Sequence, residues 1–152
     1  MRTVTFQVQG VPQPKGSSKA FVPKSWAVAA VAAGTAPRAV VTSDNPAAKD
    51  WTTLVRVCAQ GLRQEMFQGP VAVSMVFALP RPQSLPRRAT FHLKKPDLDK
   101  LARCVLDGLS GVLFLDDRCV VVLKATKEYA VPPHPPGAAI TVSSLVNDSL
   151  FT

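Results

Sequence analysis

Histidine is nearly missing from this chain, which has only His92 and His134, and its three cysteines, Cys58, Cys104 and Cys119, show no Cys-x-x-Cys spacing. Too few nitrogen and sulfur donors remain for a zinc site to be expected. An odd set of thiols, two of them inside apolar patterns, reads as reduced cysteine in a cytosolic protein and excludes a disulfide framework. No apolar run approaches the roughly 18 residues of a membrane helix, and the opening MRTVTFQVQG lacks the apolar stretch of a signal peptide. The expected setting is cytoplasmic, with no membrane partner. Acids are also scarce: 10 Asp and Glu stand against 18 Lys and Arg, a net charge of +8 with a pI near 9.9. A field of that sign favours a polyanionic partner, by counterion release if that partner is nucleic acid, although a basic balance also serves solubility alone. What is present is globular: 47% hydrophobic and 18% charged residues in a chain of 152, enough for one domain to bury a core without cross-links.

Residues 3 to 9 alternate, with Val4, Phe6 and Val8 against Thr3, Thr5, Gln7 and Gln9, which predicts a half-buried strand. VPQPKGSSK follows as a Pro/Gly/Ser loop carrying Lys15 and Lys19. Short apolar runs at 20–22 and 39–42 suit a hairpin. SWAVAAVAAGTAP between them shows no clear period, so 27–37 is expected to be a loop excursion holding about one helical turn. SDNP at 43–46 opens a helix with Asn45 as N-cap and Pro46 in the first turn. Trp51, Leu54, Val55, Cys58, Leu62 and Met66 then recur at helical spacing until Gly69-Pro70 stops the helix. Val71 to Leu79 is apolar on both faces and predicts a central strand.

A second helix fits 98–109, with Leu98, Leu101, Ala102, Val105 and Leu109 on its buried side and Ser110-Gly111 at its end. Strands fit 119–129 and 138–145, joined by VPPHPPG, and residues 146–152 read as a frayed end. With no internal repeat, this order predicts a single α/β domain over 1–152, a mixed sheet packed with two main helices.

PRPQSLPRRATFHLKKP, at 80–96, breaks the pattern. Its prolines keep it out of helix and central strand, and it carries Arg81, Arg87, Arg88, Lys94 and Lys95 without one acid. Such a stretch is ordinarily a solvated loop, but this one runs directly into a pair of aspartates.

KPDLDKLARCVLDGLSGVLFLDD, at 95–117, holds Asp97 and Asp99 at a helix start and Asp116 and Asp117 where a later strand begins. Two positions apart in a continuous helix, side chains point about 200° apart. Asp97 therefore fits better as N-cap, with Asp99 in the first turn and Asp116 and Asp117 entering from the neighbouring loop. Brought together, the four suit phosphodiester hydrolysis. Mg²⁺ prefers octahedral oxygen ligation and is usually held by one or two carboxylates with water and substrate phosphate. It lowers the pKa of a bound water and stabilises charge on phosphoryl oxygens. The same residues also suit structural roles, since aspartate is a preferred N-cap, acids favour the first helical turn and Asp-Asp is a common turn element. Asp99, Arg103 and Asp107 form an acid-base-acid stripe at four-residue spacing, which either braces the helix or aims Arg103 at a phosphate.

The same run resembles the signature of the RusA-type Holliday junction resolvases, which reads close to Lys-Pro-Asp-Leu-Asp-Asn-Leu, then Leu-Asp-Ala-Leu, then Asp-Asp. The basic stretch before it and Lys127 on the following strand match as well, and PQPKGSSKAF is more weakly similar to the family's opening loop. The likeness covers about residues 45–145 and is specific across 95–127. It implies a homodimeric, Mg²⁺-dependent endonuclease, with Mn²⁺ as a substitute ion, that nicks four-way branched DNA symmetrically in recombination and repair. By position, Asp97, Asp99 and Asp117 match the family's essential metal-binding aspartates, and Asp116 the one beside them. Arg103 stands where the family usually has a functionally important lysine. Arginine keeps the charge but does not readily give up a proton, so it suits phosphate clamping better than proton transfer. Lys100 replaces the usual asparagine and Cys119 a common glutamine.

The expected site is thus Asp97, Asp99, Asp116 and Asp117 on the metal and Arg103 on the phosphate. Arg81, Arg87, Arg88, Lys94, Lys95, Lys100 and Lys127, with Lys15 and Lys19, would grip the DNA backbone. Two other functions fit the same features: a less selective nuclease of forks and flaps, and a non-catalytic DNA-binding module with a decayed site. The intact Asp-x-Asp and Asp-Asp pairs weigh against the latter.

Overall fold

Alternation sets the sheet. The computed structural model describes residues 1–43 and 45–145, apart from the side chains of 18, 19 and 41–43. Val4, Phe6 and Val8 of β1 (Thr3–Gln9) turn inward while their polar neighbours stay in solvent. β4 (Val71–Leu79) puts Val71, Val73, Met75, Phe77 and Leu79 into the same core, and β6 (Gly137–Ser144) adds Ala138, Ile140 and Val142. With β5 (Val120–Tyr129) they form a four-stranded sheet in the order β1-β6-β4-β5, antiparallel except for the parallel pair β4 and β5. β4 is interior to the sheet, as its apolar sequence predicts. Its second face is only half-buried, however, and is built from the small residues Ala72, Ser74, Val76 and Ala78.

α2 (Ala47–Gly61) and α3 (Leu98–Leu109) complete the core. Trp51, Val55 and Ala59 meet Leu101, Ala102, Val105 and Leu109 over the sheet, and burying each large aliphatic side chain contributes about 1.5–3 kcal/mol. The helices cross closely at Gly108, where a Cβ would stand 2.9 Å from Val55 and 3.0 Å from the Thr52 carbonyl oxygen. Beside the crossing, Arg56 Nη2 donates to the Asp107 carbonyl at 2.7 Å and satisfies part of the α3 C-terminus. All three cysteines are free thiols, and burial pushes the Cys104 thiol up, which keeps it protonated and unreactive.

α2 departs from expectation at both ends. Pro46 occupies the cap position, while Asn45 Nδ2 donates to the Pro14 carbonyl at 2.8 Å and ties the opening loop to the helix start. The helix stops at Gly61, a poor helix former, and Arg63 then turns left-handed at φ 50°. Met66 therefore lies beyond the helix, and Phe67 is buried in the core from the loop.

β2 (Ser18–Phe21) and β3 (Val40–Ser43) pair as the expected hairpin. The segment between them corrects the loop excursion expected over 27–37: α1 (Lys24–Ala33) is a ten-residue helix closed by Gly34 at φ 69°. Only Ala30 on it is buried. An alanine-rich run forms this helix through propensity rather than through a buried stripe, so no period marks it. The frayed end expected at 146–152 lies outside the described residues.

Candidate active site

α3 starts where the proline-rich segment ends. Asp97 holds the N-cap position with an extended backbone, φ −70° and ψ 136°, yet its side chain makes no capping hydrogen bond. The carboxylate is 59% exposed, with Lys100 Nζ 4.0 Å away. Asp99 is exposed in the first turn, where the positive end of the helix dipole favours both charges. Asp97 thus occupies a cap position without doing a cap's work, which removes the simplest structural account of it.

Three other segments meet at this end of α3. Lys127 of β5 donates from Nζ to the carbonyls of Lys94 at 2.8 Å and Pro96 at 3.0 Å, bracing the turn that presents Asp97. The Lys15 amide donates to the Lys100 carbonyl at 3.0 Å, laying the opening loop against the first turn. Lys100 Nζ in turn reaches Ser17 Oγ at 3.3 Å.

The second aspartate pair lies elsewhere. Asp117 Oδ1 accepts from Ser110 Oγ at 2.7 Å, at the C-cap of α3. Asp116 takes the Arg118 guanidinium at 2.7 and 3.1 Å and also accepts the Arg118 amide at 2.9 Å. Those side-chain bonds, then the backbone bond, hold the Asp116 carboxyl below the usual carboxylate range. Twelve residues of α3 separate the pairs by roughly 18 Å along its axis. Among the described residues, no three His, Cys, Asp or Glu side chains lie close enough to hold a metal ion. Contrary to expectation, the loop after α3 does not bring Asp116 and Asp117 back to Asp97 within one chain. Buried Leu113 and Phe114 pin that loop to the C-terminal end of the helix.

Several expected DNA contacts are also redirected. Arg81 donates from Nη1 to the Ala89 carbonyl at 2.8 Å and from Nη2 to the Pro86 carbonyl at 2.7 Å, with its guanidinium 5.1 Å from the Tyr129 ring centre. Lys15 Nζ pairs with Asp107 at 2.7 Å, so the Asp99-Arg103-Asp107 brace does not form. Among the described residues Arg103 makes no ion pair and stands exposed one turn after Asp99. Arg81, Lys127 and Lys15 therefore shape the surface, while Arg87, Arg88, Lys94 and Lys95 remain exposed on it. The Lys19 side chain lies outside the described residues.

Sequence reasoning passed over His92 and Tyr129. His92 is 8% exposed and stacks on Tyr129 with ring centres 4.5 Å apart. Beside them is a cleft of about 590 Å³ lined by Arg87, Thr90, Tyr129 and His134. The available signal was Phe91-His92-Leu93 in an otherwise basic loop, a local alternation whose middle residue faces in.

A family model described as Endodeoxyribonuclease RusA matches residues 23–143, most of the chain. The chain belongs to the RusA family. No curated protein matches it. Membership implies an endodeoxyribonuclease of the Holliday junction resolvase kind, and the mixed four-stranded sheet with its helices is consistent with a RusA-like fold. No helix among the described residues is long and apolar enough to cross a membrane. For a RusA-family nuclease, the acid-free loop makes a direct electrostatic prediction. Replacing Arg87 and Arg88 together by Ala should lower the slope of log affinity against log salt by about two. A salt titration of DNA binding checks this, and an unchanged slope would return the loop to a merely solvated role.

Proposed function

We propose that this RusA-family protein is a Mg²⁺-dependent Holliday junction resolvase that works in the cytoplasm as a homodimer, placing paired symmetric nicks across the branch in DNA recombination and repair. The observation that carries the reading is the pair Asp97 and Asp99, exposed and uncapped at a helix N-terminus beside an acid-free basic loop. Two open carboxylates suit Mg²⁺, which keeps several waters and binds through one or two carboxylates plus substrate phosphate. Mn²⁺ accepts the same oxygen donors. When bound, the ion supplies an acidified water and offsets charge on the phosphoryl oxygens.

The protein's own part is positional. Asp97 and Asp99 hold the ion, and the turn braced by Lys127 fixes where Asp97 stands. Arg103, one turn from Asp99, clamps the scissile phosphate. Arg87, Arg88, Lys94, Lys95 and Lys100 hold the flanking backbone. On this reading Arg103→Ala loses most cleavage with an unchanged melting temperature, because no ion pair is lost, while Arg103→Lys keeps a substantial part. Turnover and thermal melts on the same preparations separate that outcome from a bracing role.

Asp116 and Asp117 join this site only through a second copy. Beside them, β5 is the outer strand of the sheet, and Val121, Val122 and Leu123 are exposed along it next to exposed Leu115. An unpaired apolar edge invites pairing, and a two-fold dimer presents two equivalent sites to a pseudo-symmetric junction. The deciding experiment offers a four-way junction, a fork and a linear duplex to the protein with and without Mg²⁺. Paired nicks in the junction alone, and only with the ion, are expected. Equal cleavage of fork or duplex replaces this reading with a less selective nuclease, cleavage in EDTA removes the metal, and a monomeric mass by light scattering removes the dimer.

A further inference from the structure

Phe91 is 80% exposed and Leu93 is 89% exposed, while His92 between them is buried against Tyr129. These two apolar side chains do not sit on a loose tether. Arg81 fastens the backbone at Pro86 and Ala89, the His92 ring fastens it at 92, and Lys127 fastens it at Lys94 and Pro96. The same set of contacts that turns three polar side chains inward leaves Phe91 and Leu93 projecting from a pinned segment. Leu93 is four residues from Asp97, so they stand within about 14 Å of each other along the chain.

The surroundings identify the partner. Arg87, Arg88, Lys94 and Lys95 are exposed around the two side chains, and residues 80–96 contain no acid. The core of a protein interface is depleted in charge, whereas apolar wedges flanked by Arg and Lys are what DNA-bending proteins insert between base steps. Resting on the nuclease reading above, we propose that Phe91 and Leu93 form a wedge that stacks against unpaired or unstacked DNA bases beside the scissile phosphate. The backbone cations hold the strand, and the wedge selects substrates whose bases open readily, as they do where strands exchange.

The test places 2-aminopurine, whose fluorescence rises when it leaves the base stack, at the positions flanking the branch of a four-way junction. Wild-type protein is added in EDTA so that no strand is cut. A several-fold rise is expected with wild type. In the Phe91→Ala, Leu93→Ala double variant the rise should vanish while junction affinity falls by no more than about tenfold, since the phosphate contacts remain. Melting temperature should not change, because both side chains are exposed. Phe91→Trp should restore the rise, and its own emission should be quenched on the junction but not on linear duplex. A double variant that unstacks the probe as well as wild type overturns the wedge, as does a wild type that binds with no rise at any position. A wild type that fails to bind junctions at all overturns the resolvase reading itself, and the wedge with it.

Discussion

Asp97→Asn is expected to reduce junction cleavage in Mg²⁺ by at least about a hundredfold, through weaker ion binding and loss of the activated water, while leaving the fold and junction binding intact. The structure sharpens the expectation about the fold. Asp97 sits at the N-cap of α3 but accepts no capping bond there, so even Asp97→Ala should cost less than the roughly 1 kcal/mol that losing an N-cap side chain usually costs. Binding measured in EDTA should stay equal or improve, because one negative charge leaves the neighbourhood of the phosphates. Asp99→Asn should behave alike. Asp117→Asn should as well if its carboxylate reaches an ion, and Asp116→Asn should be milder because Arg118 already occupies that carboxylate. Fluorescence anisotropy for binding, denaturing gels for cleavage and a thermal melt on one preparation give the three readouts. If Asp97→Asn cleaves near the wild-type rate, the carboxylate at 97 only marks a helix start, and the active site lies elsewhere.

Where a buried stripe exists, the chain is readable. α3 runs over 98–109 as its Leu101, Ala102, Val105 and Leu109 spacing predicts, and its start is marked by Asp97. α1 was not readable because almost none of it is buried, and a helix without a buried face has no period. α2 ends earlier than its apolar spacing predicts, for the opposite reason. Leu62 packs against the core after the helix has stopped, and Met66 is half-buried beyond it, so apolar spacing reported burial rather than helix.

The site shows the same division. Residue types were legible, but their partners were not. Arg81 and Lys127 look like phosphate ligands in sequence, yet loop carbonyls that need donors take them first. No pattern of charges tells which carbonyls a fold leaves open. The distance between the aspartate pairs is different, because a helix over 98–109 already separates Asp97 from Asp117 by its own length.

That separation leads to the expectation with the sharpest contrast. If each active site joins Asp97 and Asp99 of one copy with Asp116 and Asp117 of its partner, then inactive Asp97→Asn and inactive Asp117→Asn proteins should rescue each other. In a mixed dimer one site carries both lesions and the other carries none, so co-refolding equal amounts should return about a quarter of the wild-type complement of sites under random two-fold pairing. The product should differ as well. One intact site per dimer nicks one strand and leaves the junction unresolved, so nicked junctions should accumulate where wild type yields paired duplexes. A site built within one chain predicts no rescue at any ratio, because every site in the mixture then carries one lesion. A site needing only Asp97 and Asp99 predicts that Asp117→Asn is active before mixing. Nicking and resolution, read on one native and one denaturing gel, distinguish the three arrangements without knowledge of the dimer's contact surface.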